Sequence, residues 1–322
     1  KNTLPFHHDL IQIPNGNYLG IQGGNVKYGP IPYGDWTTDF QEFGYTGDGI
    51  SNEFLWSGGK IVEIDFESGD EFRYWDPFNF YKYEDYDALG GTWSFHIIAT
   101  GIYDWLHTNS IDFHDDIIYV SQRNISRISK IKYPEWEVVW NMGIMDTHQS
   151  TNIKHICPEL KFTWQHDVKM TNNGNILILD NGNLSQTIRG TESPKTRILK
   201  IEVINDESCN ILWEYEFEPN LYSSAMGSIQ QLINGNYFVS LIGGEGVGKI
   251  IEIDPNKDFV WSATLSFVDG RSDPIYRAYS MSGIHPTAFS VLKSPHLLSS
   301  QNNNVTATIY NESTYNQYFL YT

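Results

Sequence analysis

At 322 residues the chain is longer than a typical single domain but within reach of one large all-β unit, and 40% hydrophobic content is ample for a core. A formal net charge of −18 argues against sequence-independent nucleic-acid binding, which draws its affinity from Lys and Arg on phosphates, and it disfavours anionic membrane surfaces. No apolar run reaches the roughly 18 residues of a membrane-spanning helix, and Lys1-Asn-Thr-Leu-Pro5 lacks the shape of a signal peptide, so Lys1 reads as a mature or truncated end.

The 20 Tyr and 10 Trp, with 27 Gly and 13 Pro, favour short strands and many turns. In chain order, a first unit runs from His8-Asp-Leu-Ile-Gln-Ile-Pro-Asn-Gly-Asn-Tyr-Leu19 through Lys60-Ile-Val-Glu-Ile-Asp65 to Glu71-Phe-Arg-Tyr-Trp75. A Gly- and aromatic-rich insertion between Gly23 and Ser57 is expected as a long surface loop or hairpin. The second unit spans Asp104 to Trp140. The third runs from Gln165-His166-Asp167 through Arg197-Ile-Leu-Lys-Ile-Glu202 to Trp213. The fourth holds Gln231-Leu-Ile-Asn-Gly-Asn-Tyr-Phe-Val239, Lys249-Ile-Ile-Glu-Ile-Asp254 and Trp261. A weaker fifth unit is expected between Ala288 and Tyr321.

Each unit reads as a polar approach, a tight turn (Asn-Gly-Asn in most), an apolar strand, a Lys-Ile strand and a strand ending in Trp. Four strands repeated every roughly 40 to 60 residues are the signature of an all-β β-propeller, here of five to six blades of four antiparallel strands in a single domain over 1–322. Trp75, Trp140, Trp213 and Trp261 are expected to pack between blades. His8 precedes Gly16-Asn17 by eight residues, His166 precedes Gly174-Asn175 by eight, and His107 precedes Asp115-Asp116 by eight. The three histidines are therefore expected at equivalent places converging on one mouth of the channel, with Gly227 in the fourth unit.

Three histidines suit zinc or copper, but Asp9 and Asp167 directly follow theirs and should point to the opposite strand face, poorly placed to orient the rings. Arg123 favours an anion instead, since a guanidinium repels a metal cation and clamps a tetrahedral oxyanion. His7 competes with His8. His114 is read as a loop residue; His96, His148, His155, His285 and His296 fit no register. Asp112 to Asp116 lacks the spacing of a calcium loop and reads as a hairpin turn. Cys157 and Cys209 carry no framework signal, and a disulfide or two free thiols remain open. Sequons at Asn124, Asn183, Asn304 and Asn311 are glycosylation candidates.

The segments Asp104-Trp-Leu-His107-Thr-Asn109-Ser-Ile111 with Ser121-Gln-Arg123, Gln165-His166-Asp167 with Asp180-Asn181-Gly182, His7-His8-Asp9 with Pro14-Asn-Gly-Asn17, and Tyr276-Arg277-Ala278-Tyr279 resemble the arylsulfate sulfotransferases. The resemblance implies a six-bladed propeller, secreted into the periplasm or the extracellular space, that moves a sulfuryl group from an aryl sulfate to a phenol with no nucleotide cofactor. It implies a transiently sulfated nucleophile at His166, with His107, Asn109, Arg123 and His8 around it; the family's active-site threonine has no placed counterpart. Trp105, Trp164 and Tyr276 are candidates to stack on the aryl ring, and Asn181 is a further substrate-binding candidate. The chain is short for a six-bladed member and lacks the separate N-terminal β domain of bacterial members. That supports an alternative, a non-catalytic secreted propeller acting as a binding or assembly module, with self-association through the tail that follows Gln301.

Overall fold

The computed structural model describes residues 5–149, 152–242, 247–264, 274–281, 289–293 and 307–311. The chain divides into two compact units, Lys1–Ala278 and Tyr279–Thr322. The first unit is built from antiparallel meanders. One orders Phe6–Gln12, Tyr18–Gln22, Lys60–Ile64 and Glu71–Trp75. The next orders Thr108–His114, Ile117–Gln122, Arg127–Lys132 and Val138–Gly143, with Lys154–Ile156 added in parallel at its edge. The third orders Asp167–Met170, Ile176–Asp180, Arg197–Ile204 and Ser208–Glu216; the fourth orders Ser228–Gln231, Tyr237–Leu241, Lys249–Ile253 and Phe259–Thr264.

The turn motif explains the first hairpin of each meander. Gly16, Gly174 and Gly235 adopt φ of +93°, +76° and +90°, where a Cβ is disfavoured. The second Asn of the motif then ties the hairpin to the third strand: Asn17 donates to Glu63 at 2.8 Å and Asn236 to Glu252 at 2.6 Å. The Glu of the Lys-Ile-x-Glu pattern is therefore a hairpin anchor. In the second meander Asp115 and Asp116 take φ of 49° and 57°, left-handed at both turn positions as in a mirror-image hairpin turn.

Uninterrupted apolar runs follow from burial on both faces. In Ile176-Leu-Ile-Leu179, Ile176 and Ile178 join one core with Val168, Met142 and Trp140, whereas Leu177 and Leu179 join another with Ile229, Val239 and Ile251. Alternate side chains thus feed the layers between successive meanders. Trp75 and Trp140 are fully buried, and Trp213 stacks on Tyr237 of the following meander at 4.0 Å. Trp261 departs from its expected packing role, being 48% exposed and stacked on Phe238 of its own sheet.

The insertion is a hairpin and not a surface loop. Val26–Gly29 pairs with Phe54–Ser57, which pairs in parallel with Ile102–Asp104, and the helix Thr37–Glu42 lies within the insertion. Phe40, Phe54, Trp56, Tyr103 and Trp105 are fully buried together, because so many adjacent aromatics can only be removed from water by packing on one another. In the second unit Phe289–Lys293 pairs antiparallel with Ala307–Asn311. Ala288, Tyr321 and the Gln301 stretch lie outside the described residues, as do His285, His296 and Asn304.

Cys157 and Cys209 form a disulfide, joining the edge of the second meander to the outer strand of the third. It closes a loop of 52 residues, worth about 4 kcal/mol by chain entropy. The paired variant Cys157→Ser/Cys209→Ser should melt roughly 5–10 °C lower, and reductant should lower the wild-type melt to match it. An unchanged melting temperature would show the bridge to be dispensable.

Candidate active site

Side chains at the start of the inner strands lock each meander to the next. Asp9 accepts a hydrogen bond from Ile111 N (3.1 Å), Ser110 from Val168 N (2.9 Å), Asp167 from Ile229 N (3.0 Å) and Ser228 from Ala278 N (3.0 Å). The series makes Asp9, Ser110, Asp167, Ser228 and Arg277 equivalent, and with them the preceding residues His8, Asn109, His166, Gly227 and Tyr276. His107 is therefore not in the register of His8 and His166. The second hairpin turns over two residues between His114 and Ile117, whereas the first and third turn over five, between Gln12 and Tyr18 and between Met170 and Ile176; a count of eight back from the turn therefore overshoots by two, and Asn109 takes the equivalent place.

The structure nonetheless brings the three histidines together. The rings of His8 and His107 lie 4.8 Å apart, and those of His8 and His166 6.1 Å apart. Tyr276 stacks beside His8 at 5.8 Å, stands edge-on to His166 at 5.2 Å, and its hydroxyl hydrogen-bonds His8 Nδ1. His7 lies edge-on to His8 at 4.7 Å, outside this trio. His8 and His107 both sit at positive φ, 62° and 45°, a conformation that costs non-glycine residues about 1–3 kcal/mol and persists only where surroundings enforce it.

His166 is held in one tautomer. Its Nδ1 lies 2.9 Å from the Gly227 carbonyl, which can only accept, so Nδ1 carries the proton. Burial, followed by the positive field of Arg277, lowers His166 to about 3; the Gly227 bond opposes the shift without reversing it. The ring is neutral, and Nε2 keeps its lone pair. Burial lowers His8 to about 3 as well, reinforced by His107, His7 and Arg277. His107 differs, because its Nδ1 is hydrogen-bonded to the Asp104 carboxylate.

Gly227 is required by this arrangement. Its φ is +102°, and a Cβ there would meet Leu179 Cδ2 at 2.5 Å and Ser240 O at 2.6 Å. The fourth-unit glycine is thus a close backbone approach that presents a carbonyl to His166. Its own N–H donates to Tyr276 O at 3.0 Å.

Arg277 was not singled out by sequence reasoning. It pairs with Asp9 at 3.0 Å, donates to Asn109 O at 2.5 Å and lies 3.9 Å from Asp167. Lys169 stands 3.7 Å from both carboxylates. The available signal was the Asp after each of two histidines: buried carboxylates demand a cation. Arg123 is placed differently. Its guanidinium lies over Trp164 at 4.1 Å, donates to Asn124 at 3.0 Å, and burial lowers it to about 10 while Asp104 opposes.

Other candidates separate clearly. Asn109 is buried and donates to Gln165 O at 2.8 Å. Asn181 is buried and donates to Ser223 O and Met226 O at 2.7 and 3.1 Å. Trp105, expected at the mouth, has no exposed surface and packs against Trp56 and Phe78. The Asn124 amide donates to Asp104 O at 2.6 Å in a buried position, so this sequon has no room for a glycan. Asn183 donates to Ser224 O at 2.9 Å, and the side chain of Asn311 is not described. His114 ends the strand Thr108–His114, His96 lies in the helix Phe95–Thr100, and His148 packs on His155 at 4.2 Å. Among the described residues no group of three or more His, Cys, Asp or Glu is arranged to hold a metal ion, and no helix is long and apolar enough to cross a membrane.

A family model for arylsulfotransferase (ASST) matches residues 54–277, more than half of the chain, and the chain belongs to that family. No curated protein matches. Among solved structures, a Bacteroides caccae protein of unknown function matches at 12% identity and TM-score 0.42, over 80% of this chain and 66% of that one. A putative 6-phosphogluconolactonase from Bacteroides uniformis matches at 11% and 0.40, over 81% of this chain and 57% of that one. The Dos1 propeller matches at 8% and 0.38, over 82% and 63%. The chain thus spans about two thirds or less of each of these structures, and likenesses this weak carry no functional argument.

Two outcomes follow from the site. His8 and His166 drop from the ordinary 6.5 to about 3, so between those values the unfolded chain binds protons that the folded chain refuses. Stability should be full above pH 6.5 and fall as pH drops toward 3, and melting curves of His166→Asn should show a shallower fall. Gly227→Ala should cost about 1–3 kcal/mol in denaturant unfolding, with a change in His166 ring resonances; a silent substitution would mean the carbonyl does not hold the ring.

Proposed function

We propose that the chain is a secreted arylsulfate sulfotransferase that passes a sulfuryl group from an aryl sulfate to a phenol through a sulfo-histidine at His166. The carrying observation is the neutral His166 ring with Nδ1–H on Gly227 O, which leaves Nε2 as the nucleophile. Nε2 attacks sulfur as the bond from sulfur to the aryl oxygen breaks, and the departing oxygen takes a proton from His107. The ring becomes positively charged, which strengthens the bond to Gly227 O. An incoming phenol oxygen then attacks sulfur, its proton goes to His107, and the nitrogen–sulfur electron pair returns to Nε2. His8, held neutral, is the weaker candidate for this acid.

Arg277 and Arg123 supply positive field for sulfuryl oxygens, where charge spreads in a loose transition state. Tyr276, 36% exposed between His8 and His166, is the ring best placed to meet an aryl group. The disulfide supports an oxidising, extracellular or periplasmic setting. We further propose that residues 1–322 form one β-propeller.

The test uses a chromogenic aryl sulfate with a phenol acceptor. Wild type should release the chromophore and, without acceptor, carry one sulfuryl adduct in intact-mass analysis. His166→Ala should lose both, and Arg123→Ala should slow release by about 10²-fold or more. No release from wild type ends the enzyme reading in favour of a binding module.

A further inference from the structure

We infer that Asp104 is the positioning residue of His107, delivered by the inserted three-stranded sheet, and that it fixes the Nδ1–H of the ring so that Nε2 exchanges protons with the phenol oxygens. The inference rests on the sulfotransferase reading and adds to it a role for the insertion. Asp104 is the last residue of Ile102–Asp104, whose partner Ser57 closes Phe54–Ser57 in parallel register. Tyr103 and Trp105 on either side of it are fully buried, and strand alternation therefore turns the Asp104 side chain to the opposite face.

The backbone is pinned where it matters. Trp105 N donates to Ser57 O at 3.0 Å, and the buried Asn124 amide donates to Asp104 O at 2.6 Å. Asn124 N and Arg123 N donate in turn to Leu106 O (3.1 Å) and His107 O (3.3 Å). Two short segments carrying acid and imidazole are thus held to a common support, and the left-handed backbone at His107 aims its ring back at the Asp104 carboxylate. Partial desolvation works against charge on Asp104, whose side chain is half exposed, but the hydrogen bond and field of His107 hold the carboxyl below its ordinary range. The carboxylate remains ionised throughout: His107 Nε2–H protonates the departing aryl oxygen, and Nε2 recovers a proton from the acceptor. A carboxylate that orients an imidazole and supports its cationic form without taking the proton is a recurring catalytic device.

Leaving-group dependence tests this. The donor kcat/KM reports the donor half-reaction, and 4-nitrophenyl sulfate needs little proton assistance whereas phenyl sulfate needs much. With 1-naphthol as acceptor, Asp104→Asn should keep 4-nitrophenyl sulfate within about fivefold of wild type and slow phenyl sulfate about 10²–10³-fold. Asp104→Glu should recover part of the loss, and Asp104→Asn/His107→Ala should be no slower than His107→Ala alone. Equal slowing of both donors, or additive losses in the double variant, overturns the inference. Independently of turnover, wild type should show a far-downfield His107 Nδ1–H proton resonance that Asp104→Asn lacks; its absence from wild type overturns the pairing. No release from either donor by wild type instead overturns the sulfotransferase reading, and Asp104's role with it.

Discussion

A polar side chain at the start of each inner strand reaches across to the next and sets its register. Asp9, Ser110, Asp167 and Ser228 each accept a backbone N–H of the next element, and each bond contributes only about 1 kcal/mol. Their larger effect is registration. Cores built from Ile, Leu and Val tolerate sliding, whereas a buried N–H left without its acceptor does not. Fixing that register also fixes the residue before it, and those residues are His8, Asn109, His166, Gly227 and Tyr276. The site is a by-product of how the sheets are stapled.

Much of this was legible in the chain. Asn-Gly-Asn turns, double-sided apolar runs and Lys-Ile strands predict hairpins and stacked sheets because each follows from local chemistry. The His8 and His166 equivalence survives for the same reason, since both lie a fixed count from a turn. His107 broke the count: the Asp115-Asp116 turn spans two residues where the Asn-Gly-Asn turns span five, so counting eight back from it overshoots Asn109 by two. Trp105 was misplaced because composition alone does not distinguish an aromatic that lines a mouth from one that fills a core. The hairpin in the insertion was within reach, but its third strand, Ile102–Asp104, was not, because it lies far along the chain. Arg277 was the least visible, since its partners Asp9 and Asp167 come from two other meanders.

The charges in the pocket divide three similar rings between two tasks. Burial raises the cost of protonating His8 and His166, and Arg277 adds to it, so both stay neutral. On the proposed sulfotransferase reading, the field that helps keep these rings neutral is also the field that would draw in a sulfate ester. A carboxylate on His166 would reverse this, favouring a ring that is charged and without a lone pair. The structure puts its carboxylate on His107 and a carbonyl on His166. A carbonyl fixes the tautomer as firmly as a carboxylate does but supports less positive charge, so it suits a nucleophile that must begin neutral and become cationic only for the life of an intermediate. In the proposed cycle the ring that trades protons receives the stronger partner. That division, and not the number of histidines, is what would let one pocket hold a base and a nucleophile at the same pH.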